Sequence, residues 1–440
     1  MAKIGLASLG CPKNQVDAEI MLSKLKNAGY ELTPFEEEAD AILVNTCGFI
    51  ESAKQEAIDT ILELAALKKE GKLKALIVTG CLAERYRKQL MEQISEIDAA
   101  VSIGRNAEIV EIVNRALDGE RTGYFGTNEG LPLEGKRILI NEPYYAYLKI
   151  GEGCNNCCSY CAIPLIRGKM RSRTIESVLE EANTLASSGV KELVIVAQDT
   201  TRYGEDIYGK CELPRLLQEL CKIEKIHWIR VLYTYPDRIT DELLDVIADQ
   251  KKIVKYLDMP IQHCNGEILR RMNRPGDRES LCNTIRKIRE RVPGIVLRTT
   301  LIAGFPGETQ EQFEELCEFV RDMRFERLGC FAYSAEEDTP AAEFDDQIPE
   351  ELKQKRQEIV MEHQSFITAE IAEGLEGQTM EVLTEGYDSY IKRFYGRSFA
   401  DAPDIDCKVF FTGKEKYEPG QFVSVKITGA LDMDLLGETV

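Results

Sequence analysis

Histidine is nearly absent, with three in 440 residues, and there is one tryptophan. His263 therefore stands almost alone, and a lone histidine is more often a hydrogen-bonded structural residue than a ligand. Long apolar runs are missing as well. No stretch of 18 or more apolar residues occurs, which excludes an ordinary membrane-spanning helix. The start, Met1-Ala2-Lys3-Ile4-Gly5-Leu6, lacks the charged segment and long apolar core of a secretion signal. A cytoplasmic location with no membrane contact is expected. Nor is there an excess of basic charge, since the formal net charge is -20. Such acidity argues against holding nucleic acid by neutralising phosphates. Nucleic acid is not expected as the direct substrate, and a basic protein is the better partner.

Cysteine, in contrast, is plentiful, with 14 residues. In a reducing compartment these are not expected to form a disulfide framework. Some must serve chemistry, and the rest can be ordinary buried thiols. Eight residues concentrate the signal: Cys154-Asn155-Asn156-Cys157-Cys158-Ser159-Tyr160-Cys161. Read as C-x-x-x-C-x-x-C, the ligands are Cys154, Cys158 and Cys161, and Cys157 is a bystander. Read as two C-x-x-C pairs, four thiolates would clasp zinc. Structural zinc knuckles usually sit well apart in sequence rather than back to back. The flanks, an apolar run over 144–150 and a Gly-Glu-Gly turn, suit a strand entering a cluster-binding loop. Three thiolates can hold three irons of a four-iron, four-sulfur (4Fe-4S) cluster and leave the fourth open.

The length predicts two to four domains. Residues 1–118 read as an α/β unit. Apolar strands over 3–10, 41–46, 73–80 and 99–104 alternate with amphipathic helices, which argues for a parallel sheet. Cys11, Cys47 and Cys81 each follow one of these strands. Ligand sites in open parallel sheets lie beyond the carboxyl ends of the strands, so these three thiols are predicted to converge on a second cluster, again with one open iron. Residues 119–143 read as a connector. Residues 144–373 alternate six strands with five intervening helices, which predicts a partial (β/α)6 barrel with its functional groups at the strand C-termini. A charged helix over 349–373 is expected to lead away from it. Residues 376–440 alternate in short β-rich runs and predict a small antiparallel β-barrel. With seven basic against twelve acidic side chains, this barrel suits a basic protein better than RNA.

Further candidates sit where barrel strands end. Gln198 and Asp199 could bind an amino-acid head group, or Asp199 could simply cap the next turn. Arg230 and Tyr233 belong to the third strand, and alternation would put Tyr233 and Tyr235 on one face. Gln262 ends the fourth strand. Arg270, Arg271 and Arg274 could pair a carboxylate. Arg298 lies on the fifth strand, and Gly304 opens a turn where backbone could approach a ligand closely.

Together these motifs resemble the radical S-adenosylmethionine methylthiotransferases over nearly the whole chain. Ser8-Leu9-Gly10-Cys11-Pro12-Lys13-Asn14, Val44-Asn45-Thr46-Cys47-Gly48 and Thr79-Gly80-Cys81 match the N-terminal domain of that family. Gly153 to Cys161 matches the radical loop, Arg167-Gly168-Lys169-Met170-Arg171-Ser172-Arg173 the run after it, and the last 65 residues a TRAM domain. Relatives that modify tRNA adenosine usually carry Gly-Cys-Gln-Met-Asn where this chain has Gly10-Cys11-Pro12-Lys13-Asn14. The segment 397–406 is similar to the branch that acts on ribosomal protein S-twelve. The resemblance implies two 4Fe-4S clusters and S-adenosyl-L-methionine as cofactors. One cluster, on Cys154, Cys158 and Cys161, would generate a 5′-deoxyadenosyl radical from S-adenosylmethionine. The other, on Cys11, Cys47 and Cys81, would supply sulfur, and a second S-adenosylmethionine the methyl group. The implied product is a methylthio group on the β-carbon of an aspartate in S-twelve. The implied partners are that protein, an electron donor and a sulfur source. Both open irons must then face one cavity.

Overall fold

In a computed structural model, which describes residues 2–440, three units follow one another along the chain. The first is a six-stranded, all-parallel sheet ordered Glu31–Leu32, Lys3–Ser8, Ala41–Thr46, Ala75–Gly80, Ala99–Val101, Thr122–Tyr124. Its central strands are apolar at every early position because both faces are covered. Ile42, Val44, Leu76 and Val78 point to one layer of helices, and Ala41, Leu43, Ala75 and Ile77 to the other. Thr122–Tyr124 lies inside the stretch read as connector and pairs with Ala99–Val101.

The second unit is a curved six-stranded parallel sheet in simple sequence order, from Tyr145–Lys149 at one edge to Arg327–Ala332 at the other. Helices cover its outer face, including Asp241–Asp249, Arg278–Arg291 and Gln310–Met323. The predicted partial (β/α)6 barrel is thus present. The helix Glu350–Glu373 does not lead away from it, as the sequence suggested. It packs along the edge strand through a buried stripe of Lys353, Arg356, Val360, Gln364, Ile367 and Ala372. Several of these are polar, and each finds a partner. Arg356 bonds the Glu308 carboxylate at 2.7 Å, and Gln364 donates to the Phe325 carbonyl at 2.8 Å. Among the described residues no helix is long and apolar enough to cross a membrane.

The third unit is a closed five-stranded barrel built from Thr379–Asp388, Arg393–Ser398, Val409–Thr412, Phe422–Leu431 and Asp434–Thr439. It is antiparallel except for one seam, where Val409–Thr412 and Asp434–Thr439 run parallel. The barrel is anchored into the concave face of the second unit. Arg397 meets Glu192 at 2.8 Å, Tyr256 meets Asp406 at 2.6 Å, and Arg327 meets Asp401 at 2.6 Å. Leu383, Phe399, Ala402 and Phe422 pack there on Tyr145, Tyr147 and Trp228.

Candidate active site

Each of the first three candidate cysteines follows a strand of the N-terminal sheet and adjoins a glycine. Gly10 and Gly80 have left-handed φ of 93° and 94°, which favours glycine. A Cβ on Gly10 would sit 2.8 Å from the Cys47 Cβ, and one on Gly80 only 2.4 Å from the Thr46 carbonyl oxygen. Only bare backbone lets these loops close together. Asn14 ties them, donating to the carbonyls of Leu9 (2.8 Å) and Thr46 (3.0 Å), while Asn45 donates to the Asn14 carbonyl (2.7 Å). Cys11 precedes the helix Pro12–Asn27 and Cys81 begins the helix Cys81–Gln93. Helix N-termini favour the thiolate form.

The radical-loop cysteines follow the first barrel strand. Gly153, with φ 78°, lets the loop pass under Lys169, whose carbonyl would lie 2.1 Å from any Cβ there. Cys157 is exposed and has φ 50°. Its carbonyl accepts from Asn273 at 2.9 Å. The side chains of Cys154, Cys158 and Cys161 are more enclosed. The Tyr235 hydroxyl lies 3.6 Å from the Cys158 sulfur, and the Arg274 guanidinium stacks 4.1 Å from the Tyr235 ring centre.

The two loops face each other. All six candidate cysteines line one cavity of about 380 Å³, with Lys13, Asn156, Tyr160, Arg167, Gln198, Tyr233, Tyr235, Gln262 and Arg274. Each triad offers the three thiolates that a cluster with one open iron needs. Burial pushes the Cys81 thiol up to about 12 and the Cys154 thiol to about 11, and raises Cys47 and Cys161 too. Burial raises the Cys11 thiol as well, yet Lys13 and Arg167 bring it below the ordinary value. Thiols held protonated by burial are poor nucleophiles. They become thiolates when a metal displaces the proton. The residues therefore fit a cluster-holding role.

Beneath the cavity lies a buried charge network joining the first two units. Arg167 bonds Asp17 at 2.9 Å, Glu152 at 2.8 Å, Asn14 at 3.0 Å and the Cys81 sulfur at 3.6 Å. Lys149 pairs with Asp17 and, at 3.0 Å, with Glu152, which also accepts from Gln198. Across the molecule, Lys54 and Arg85 hold Glu336 at 3.2 and 2.9 Å.

Comparison with known proteins agrees with this architecture. Residues 3–102 match a model described as uncharacterized protein family UPF0004, residues 148–320 the radical SAM superfamily, and residues 377–440 the TRAM domain. A protein of Lachnoclostridium phytofermentans named ribosomal protein uS12 methylthiotransferase RimO is 50% identical over 99% of each chain. Proteins of the same name from Pelotomaculum thermopropionicum and Clostridioides difficile are also 50% identical, over 100% of this chain and 99% of theirs. The chain belongs to the RimO family. More distant likeness extends to solved structures. The radical S-adenosylmethionine methyltransferase TsrM of Kitasatospora setae, with tryptophan substrate and an S-adenosylmethionine analogue bound, is 14% identical with a TM-score of 0.56, covering 88% of this chain and 79% of its own. The cobalamin-dependent radical enzyme OxsB gives 14% and 0.52, covering 83% of this chain and 58% of its own. These two share the fold.

Of the other residues singled out from sequence, Gln198, Tyr233 and Gln262 line the cavity, and Arg230, Arg298 and Gly304 do not. Arg230 is buried under the TRAM unit, bonded to Glu192 at 2.8 Å and to the Phe399 carbonyl at 2.7 Å. Arg298 pairs with Asp258 at 3.0 Å and lies 3.5 Å from Asp406. Gly304 makes room for Lys353, whose Cγ would lie 2.5 Å from a Cβ there. Asp199 accepts from Thr201 at 3.0 Å and from Asn156 at 2.7 Å, so it positions a lining residue from behind. Tyr233 and Tyr235 do reach the cavity, but the strand Trp228–Val231 has ended before them and Tyr233 turns in with φ 61°. His263 is structural, its Nδ1 accepting from the Asn265 amide at 2.9 Å. In the sequence Lys13 and Arg167 stand out only as members of motifs. Asn156 and Tyr160 gave no signal beyond lying between cysteines.

Proposed function

We propose that the chain methylthiolates the β-carbon of an aspartate in ribosomal protein uS12 (S-twelve), using radical S-adenosylmethionine chemistry. The observation that carries this reading is one cavity lined by two cysteine triads, with Cys157, drawn from two different units of the chain. With clusters bound, such a site supplies one-electron reduction of S-adenosylmethionine and a sulfur atom for transfer. Cys154, Cys158 and Cys161 would hold the first cluster, and Cys11, Cys47 and Cys81 the second. The chain's own part is placement. Gly10, Gly48 and Gly80 let the second triad converge, and the network of Arg167, Asp17, Glu152 and Lys149 fixes it opposite the first. Gln198, Tyr235, Gln262 and Arg274 line the space between the two triads. Arg274, beside Cys158, would meet the carboxylate of S-adenosylmethionine. An electron donor and a sulfur source are required, and a cytoplasmic setting follows from a ribosomal substrate.

The test is the intact mass of uS12 from cells with and without this gene. A methylthio increment that depends on the gene and disappears in Cys11→Ala and Cys154→Ala variants is expected. An unchanged uS12 with gene-dependent methylthio-adenosine in tRNA would transfer the chemistry to a different substrate.

A further inference from the structure

Three cations line the cavity: Arg167, Arg274 and Lys13. Arg167 is matched by Asp17 and Glu152. Arg274 is held at the radical loop, donating to the Pro260 carbonyl at 2.6 Å and lying beside Cys158 and Tyr160. Lys13 differs. It is 6% exposed, and its ammonium rests 3.4 Å from the centre of the Tyr233 ring. Cys11, two residues earlier, and Arg167 line the same cavity. Among the described residues no Asp or Glu pairs with it. Cys11 is the anionic partner this chain offers it, and Lys13 remains a cation on the cavity lining that no carboxylate of the described residues meets.

We infer that Lys13 is the specificity-determining residue that receives the side-chain carboxylate of the substrate aspartate. This rests on the function proposed above. In that substrate the reacting β-carbon bears the carboxylate directly, so the charge must enter the cavity with the carbon. A carboxylate loses part of its hydration on entering the cavity and needs a partner there. Lys13 lies beside Cys11, on the sulfur-supplying side where the carbon has to arrive. The second position of the helix Pro12–Asn27 fixes its backbone, and Tyr233 fixes its side chain. The same cation offers nothing to a neutral nucleobase, so one residue accepts an aspartate and disfavours an uncharged substrate. Lys13 acts in binding and orientation and takes no part in proton or electron transfer.

The experiment measures binding of uS12, free and within small ribosomal subunits, to the anaerobically reconstituted full chain. Substrate with the native aspartate is compared with its asparagine form. Wild type is expected to prefer aspartate by about tenfold to a hundredfold, the range for a charge-assisted hydrogen bond. Lys13→Met and the more polar Lys13→Gln are expected to bind both forms alike, with iron content and cluster absorption unchanged. Because each variant is its own reference, general damage cannot mimic a selective loss of preference. Variants that keep the wild-type ratio would overturn the inference. So would loss of iron from the N-terminal site, which would make Lys13 a counter-ion of the thiolates. A wild type that binds neither form would remove the uS12 reading itself, and this inference with it.

Discussion

Replacing Arg167 with methionine should loosen the joint between the N-terminal sheet and the barrel before any cofactor is considered. Four charged side chains meet there, two cationic and two anionic, and none is more than 2% exposed. The set is neutral as it stands. Without Arg167, Asp17 and Glu152 share the single ammonium of Lys149, leaving one uncompensated buried charge. Breaking a buried pair in this way costs about 3–5 kcal/mol. Adding Asp17→Asn should recover part of the loss, because Lys149 then faces Glu152 alone at 3.0 Å. The coupling between the two changes should fall within the roughly 0.5–3 kcal/mol seen for residues sharing a network. Denaturant unfolding of the metal-free full chain, followed by the fluorescence of its one tryptophan, Trp228, reads both effects. An Arg167→Met chain within about 1 kcal/mol of wild type would refute the reasoning. A double variant no more stable than the single one would also do so.

Other consequences can be checked together. Single alanine substitutions at Cys11, Cys47 or Cys81 should remove about half the bound iron while S-adenosylmethionine cleavage persists, whereas substitutions at Cys154, Cys158 or Cys161 should abolish cleavage. Cys157→Ala should alter neither, and loss of iron there would revise the ligand set. Arg397→Met strips Glu192 and Glu385 of a shared buried partner and should expose the 397–406 segment to hydrogen exchange. The same contact should weaken in acid. Burial opposes ionisation of Glu192, yet Arg397 and Arg230 hold its carboxyl below the usual range. Its contribution is complete above the ordinary glutamate value of about 4.3 and is lost as pH falls through the lower folded value. Exchange in that segment should therefore rise below about pH 4, and Glu192→Gln should flatten the dependence.

Much of the fold was readable because its signals are local. Apolar runs such as 41–46 and 75–80 reveal buried parallel strands, and a cysteine directly after each strand inherits the sheet's ligand-binding edge. The errors share one cause, contacts between residues far apart in sequence. Arg230 and Arg298 occupy barrel strands, as ligand contacts would, but the segment 397–406 reaches them first. Glu350–Glu373 carries its buried stripe on Lys353, Arg356, Gln364 and Thr368, so it read as a solvated helix. Nothing in Thr122–Tyr124 announces a strand until Ala99–Val101 lies beside it. Lys13 and Tyr233 are 220 positions apart, and only folding shows that one rests on the other.

The anchoring of the TRAM barrel bears on how a large substrate is handled. Arg397, Asp401 and Asp406 are sunk into the floor of the neighbouring unit rather than hung on a tether. The small barrel therefore works as a fixed jig. Its outer surface is held at a set distance and angle from the cysteine-lined cavity, so a substrate that touched both would have its reacting residue chosen by that spacing.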